Sequence, residues 1–122
     1  MSDYSDLDVY KESLELFFII HPASLKLPKY EMYELGSQLI RSEDSTVTNI
    51  VEGYGRKRYK AEFIRFLVFS HSSCMEAKNH LFKIATLYPD TFENMEDLIL
   101  RYDNLGAKLY NFISYVDKNW KI

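Results

Sequence analysis

The stretch Asn49-Ile50-Val51-Glu52-Gly53-Tyr54-Gly55-Arg56, followed shortly by Glu62-Phe63-Ile64-Arg65-Phe66-Leu67, decides the fold. It reads as the end of one long helix, a glycine turn and the start of another. Upstream, Met32, Leu35, Leu39, Ser42, Thr46, Asn49, Ile50 and Gly53 share one helical face. That period predicts a helix over 29–54, with Pro28 at its mouth. Gly53 or Gly55 is expected to supply the left-handed residue that ends it. Downstream, Phe63, Phe66, Leu67, Ser70, Cys74, Ala77, Leu81, Ile84 and Ala85 fall within about 100° of arc. They define the core stripe of a helix over 59–88, which stops before Pro89.

The same period extends outward. Leu7, Tyr10, Leu14 and Phe17 predict a first helix over 5–20, capped by Ser5 or Asp6 and stopped by His21-Pro22. Met95, Ile99, Tyr102, Leu109, Ile113 and Val116, with Leu98, Leu105 and Phe112 beside them, predict a fourth helix over 91–118, capped by Thr91. No strand-like alternation bounded by turns interrupts the pattern. The expected fold is all-α, an antiparallel up-down four-helix bundle, with residues 1–122 as a single domain.

Composition narrows the class. The chain has 122 residues, 47% of them hydrophobic, enough to form a core without disulfides or metal. Cys74 is the only cysteine, so no intramolecular disulfide forms. The start, Met1-Ser2-Asp3-Tyr4-Ser5-Asp6, is acidic and unlike a signal peptide. The longest apolar run, Leu16 to Ile20, is too short to span a bilayer. A soluble cytoplasmic protein with no membrane partner is expected. Ten tyrosines and eight phenylalanines exceed what a small core hides, so part of them should meet another chain.

The net charge of −3 is unevenly spread. Residues 1–52 carry ten acids and four bases, net −6. Residues 53–85 carry seven bases and two acids, net +5. Overall acidity argues against a general nucleic-acid coat, while the basic middle leaves room for a local anion site.

Helices two and three each carry a second apolar row. In helix two it is Tyr33, Ile40, Val47 and Tyr54; in helix three it is Ile64, Val68, Met75 and Phe82. A wide core face plus scattered surface apolars would explain both rows. Their regularity on neighbouring helices favours a subunit interface, with Val47, Ile64, Val68, Met75 and Phe82 as its candidates.

The chain resembles the four-helix-bundle protein family of bacterial 23S rRNA intervening sequences. Members show Tyr-x-Leu-x-x-Gln with arginine soon after, then Asn-Ile-x-Glu-Gly-Tyr-Gly-Arg and Phe-Ile-Arg-Phe-Leu. Here the matches are Tyr33, Leu35, Ser37, Gln38, Arg41 and Ser45, then Asn49 through Arg56, then Phe63 to Leu67, Ser73, Glu76 and Leu81. The chain departs from the pattern at Ser42-Glu43-Asp44, at Val47 where a proline is usual, and at Ser72 where glycine is common. The resemblance implies homo-oligomers, ring-like pentamers above all, and no established enzymatic activity. A related branch, the accessory variability determinants of diversity-generating retroelements, works with a reverse transcriptase and binds nucleic acid.

Local chemistry is sparse. Arg56, Lys57, Arg58 and Lys60 surround Tyr59 in the turn, which suits phosphate contacts and base stacking. A solvated helix end, where cations favour the negative dipole, is the stronger reading of Arg56 and Lys57, though it does not explain Lys60. Glu76 and His80 have the spacing of two metal ligands, but two ligands are not a site. No Glu-x-x-His occurs, and His21, His71 and His80 are dispersed. Asn49, Glu52 and Glu76 are expected to form a structural polar network between helices two and three. Cys74, on the core stripe, reads as a small buried residue.

These features describe a non-enzymatic, self-associating binding or scaffold protein without a cofactor, its target unnamed. The alternative is an accessory protein for RNA or single-stranded DNA that uses the basic turn. An enzyme or metalloprotein is the third reading. The expected partner is the chain itself, with nucleic acid or another protein as the further candidates.

Overall fold

The computed structural model describes residues 3–121, which form helices and turns without a strand among them. A 3-10 turn, Tyr4–Asp6, leads into helix α1, Asp8–Ser24. Helix α2 covers 29–55 in three continuous pieces: Lys29–Glu31, a π-helical Met32–Gly36, and Ser37–Gly55. Helix α3 is Lys60–Leu87 and helix α4 is Met95–Asn119.

The four expected helices are present, and their ends differ for local reasons. α1 runs through Pro22 to Ser24. In the last turn the proline costs little beyond the one bond it cannot donate, and Ser24 and Leu27 are buried just beyond it. Neither Ser5 nor Asp6 caps α1. Leu7 stands at its N-cap without a side-chain bond, while Asp3 caps the 3-10 turn before it. No described glycine is left-handed, and Arg56 ends α2 at φ −106°. α4 begins at Met95 rather than at Thr91. Thr91 and Phe92 are buried in the connection, and Asn94 makes the turn at φ 52°, a left-handed geometry that asparagine tolerates.

Cross-helix contacts fix the topology. Between α2 and α3, Tyr88 Oη donates to Glu31 at 2.9 Å, Ser73 meets Ser45 at 2.8 Å, and Ser70 Oγ donates to the Thr46 carbonyl at 2.6 Å. Between α1 and α4, Arg101 pairs with Glu12 at 3.0 Å and Lys108 with Asp8 at 3.1 Å. Along each seam, residue numbers rise on one helix as they fall on the other, so these neighbours are antiparallel. Short connections impose the same order.

The buried side chains form one continuous cluster. Leu16 and Ile20 of α1, Leu39 and Ile50 of α2, Leu67 and Leu81 of α3, and Leu105 and Leu109 of α4 are all fully buried. Each such side chain contributes about 1.5–3 kcal/mol relative to exposure. α2 buries a wide arc that includes Ser42, Glu43, Thr46, Val47, Gly53 and Tyr54. It is wide because α2 packs on α1 and α3 and also reaches α4 across the core. The second row read on helix two is therefore not a separate face. Val47 and Tyr54 belong to the core, Ile40 is half-buried, and only Tyr33 is exposed.

Candidate functional site

α3 does carry two faces. Its core stripe is buried from Phe63 to Ile84. Outside that stripe, Val68, Met75 and Phe82 are exposed at 43%, 61% and 61%. Met75 and Phe82 edge a mainly apolar groove of about 710 Å³ between α3 and α4, with Gly106, Ala107 and Tyr110 on its other side. Nothing lies within 4 Å of where a Gly106 Cβ would stand, so the groove is open at its middle. Lys78 and Asp103, both on its lining, form an ion pair. Of the five expected interface residues, three lie on this open surface. Ile64 is half-buried against the core, and Val47, at 8% exposure, is withdrawn into it.

The basic turn is partly engaged within the chain. Arg56 pairs with Glu62 at 3.4 Å and Glu52 at 3.7 Å, and its guanidinium lies 4.6 Å from the Phe66 ring centre. The Lys57 ammonium sits 3.9 Å from the centre of the Tyr54 ring. Arg58 and Lys60 make no ion pair among the described residues, and Tyr59 between them is 65% exposed. The turn therefore offers two free cations and one stacking surface rather than four cations.

The expected network of Asn49, Glu52 and Glu76 does not form within the chain. Glu52 and Glu76 are exposed, and Glu52 pairs with Arg56. Asn49 donates to the Ser45 carbonyl and to Ser45 Oγ, each at 2.9 Å. Solvent draws the two carboxylates outward, because burying a charge without a partner is expensive.

The buried polar centre lies elsewhere. Glu43 is fully buried, and Tyr102 Oη donates to its Oε2 at 2.8 Å. Its Oε1 has no hydrogen-bond partner among the described residues. Burial above all, with Asp44 adding to it and the Tyr102 bond opposing it, pushes the Glu43 pKa up to about 8. Below that pH the group is a neutral acid. The sequence held one signal for it, since Glu43 lies four residues after Leu39 and seven before Ile50, on their buried face. Cys74 lies nearby and donates weakly to the Tyr102 carbonyl at 3.6 Å. Burial, reinforced by Glu43, pushes its thiol up to about 12, which keeps it protonated and a poor nucleophile. Among the described residues no three side chains are grouped to hold a metal ion, and Glu76 and His80 stand as a pair. No described helix is long and apolar enough to cross a membrane.

Four antiparallel helices around one core, with an apolar groove and a short basic turn on the surface, define a small helical-bundle protein. The family profile of the 23S rRNA-intervening sequence protein matches residues 5–111, and the chain belongs to that family. No curated protein matches it.

Proposed function

We propose that the protein is a non-enzymatic, self-associating scaffold whose subunits meet over the exposed face of α3 and the α3–α4 groove. The observation that carries this reading is the exposure of Val68, Met75 and Phe82 beside that groove. Large apolar surfaces of this kind mark association sites. Charge favours a second copy as the occupant. The half of the chain that contains α1 and α2 is acidic, and the turn and α3 are basic. A contact between unlike faces is heterologous, and repetition of such a contact closes into a ring when the rotation allows. The resemblance implies a pentamer.

Light scattering at micromolar concentration tests this. The wild type should weigh a multiple of 14.5 kDa. Met75→Glu or Phe82→Glu should release monomers with helix content intact, because a buried unpaired charge costs about 3–5 kcal/mol. A wild type that stays monomeric defeats the proposal. A second reading, binding of RNA or single-stranded DNA, draws on Arg58 and Lys60 flanking the exposed Tyr59.

A further inference from the structure

On the other flank of α3, a polar cleft of about 240 Å³ opens against α2. It is lined by Gln38, Arg41, Ser42 and Ser45 from α2 and by Ser73, Glu76 and His80 from α3. All but Ser42 and His80 are residues through which the chain resembles its family, and neither the groove nor the turn uses them.

Two groups in this cleft, Arg41 and the Ser45–Ser73 pair, have unspent hydrogen-bonding capacity. Arg41 is exposed and makes no ion pair among the described residues. The Ser45 and Ser73 hydroxyls lie 2.8 Å apart, and Asn49 Nδ2 donates to Ser45 Oγ at 2.9 Å. Two hydroxyls bring two protons, and their mutual bond uses one. The other remains to donate into the cleft that both side chains line. His80 Nδ1 is buried beside the cleft and has no hydrogen-bond partner among the described residues. Burial, reinforced by Lys83 and opposed by Glu76, holds this imidazole below its ordinary pKa. It is therefore neutral at pH 7 and adds no charge of its own to the cleft.

A guanidinium, a spare hydroxyl proton and the Gln38 amide all serve as donors here. Such a set suits a compact group rich in acceptor oxygens, and charge-assisted bonds to it are the strong ones. Glu76 is the one carboxylate on the lining, and it opposes an anion. We propose that the α2–α3 cleft is a binding site for a small phosphate-type oxyanion. Arg41 supplies the charge, and the Asn49–Ser45–Ser73 chain of hydrogen bonds supplies an oriented hydroxyl.

Amide NMR of the whole protein titrated with inorganic phosphate tests this. Saturable shifts should centre on residues 41, 45, 73 and 80. Arg41→Gln should weaken binding at least about tenfold, the loss of one charge-assisted contact. Ser73→Ala should weaken it severalfold without removing charge, and it serves as the test if Arg41→Gln disturbs the fold. Glu76→Gln should tighten it. Shifts that never saturate, or that gather at the basic turn instead, overturn the proposal. Weaker binding in Glu76→Gln overturns it as well. The outcome is independent of self-association, because the groove lies between α3 and α4.

Discussion

Glu43 is the residue with the largest mismatch between its nature and its place. In an unfolded chain its carboxyl titrates near 4.5, and in the folded chain near 8. Below the lower value it is protonated in both states and exerts no pull. Between the two, the unfolded chain loses the proton and the folded chain keeps it, so stability falls as pH rises. The slope is about 1.4 kcal/mol per pH unit for one such group, and it flattens once the folded acid ionises as well. Glu43→Gln keeps an acceptor for Tyr102 and removes the titration. The variant should therefore gain little at pH 5 and gain about 1–3 kcal/mol at pH 8, well inside what this linkage permits. Paired urea unfolding curves at the two pH values decide this. An equal gain at both would mean that Glu43 is not held neutral.

Among the elements, the α2–α3 hairpin shows how closely two helices can pack. A Cβ on Gly53 would stand 3.2 Å from both the Phe63 carbonyl oxygen and Phe66 Cβ. Alanine there gains about 0.5–1 kcal/mol of helix propensity but loses about 1–3 kcal/mol to overpacking. Gly53→Ala should therefore be the less stable protein by about 1 kcal/mol, since overpacking is the larger of the two effects. Gly55→Ala, with nothing within 4 Å, should match or slightly exceed the wild type. Thermal melts of both variants check the contrast, and a stabilised Gly53→Ala would contradict it. The helices themselves were legible in sequence because apolar residues recur at the helical period. Pro22 inside α1, the π-helical turn at Met32–Gly36 and the late start of α4 at Met95 were not. Each is settled by tertiary burial, of Ser24 and Leu27, Gly36, and Thr91 and Phe92 respectively, and not by local propensity. Val68, Met75 and Phe82 could be read as exposed because α3 carries more apolar positions than one core stripe needs. Val47 could not be placed, because a helix that meets three neighbours buries a wider arc than a two-partner pattern implies. The burial of Glu43 runs against the sequence pattern, because acids are rarely buried whole.

At the scale of the molecule, charge is segregated along the chain, and this bears on the nucleic-acid reading. A single turn offers only Arg58, Lys60 and the Tyr59 ring without intramolecular claims. A ring would repeat that turn once per subunit, and weak sites on one particle combine through effective concentration. The acidic remainder repels phosphate within a Debye length of about 10 Å at 0.1 M salt. If the turns prevail, RNA binding should fall steeply with added salt. Arg58→Ser with Lys60→Ser should abolish it while light scattering stays unchanged. A wild type that binds no RNA at low salt removes this reading.

The seams of the bundle are fastened by different means. α2 and α3 are joined by a close glycine approach, a buried Ser70 bond and paired hydroxyls, none of which salt screens. α1 and α4 are joined by Arg101 to Glu12 and Glu15 and by Lys108 to Asp8, at the partly exposed surface where ions screen such pairs. The molecule is bound like a book, with the α2–α3 hairpin as its spine and the α1–α4 seam as its fore-edge. Ionic strength acts on the fore-edge, whose surface pairs contribute about 0–1 kcal/mol each, and leaves the hydroxyl bonds of the spine beside the oxyanion cleft as they are.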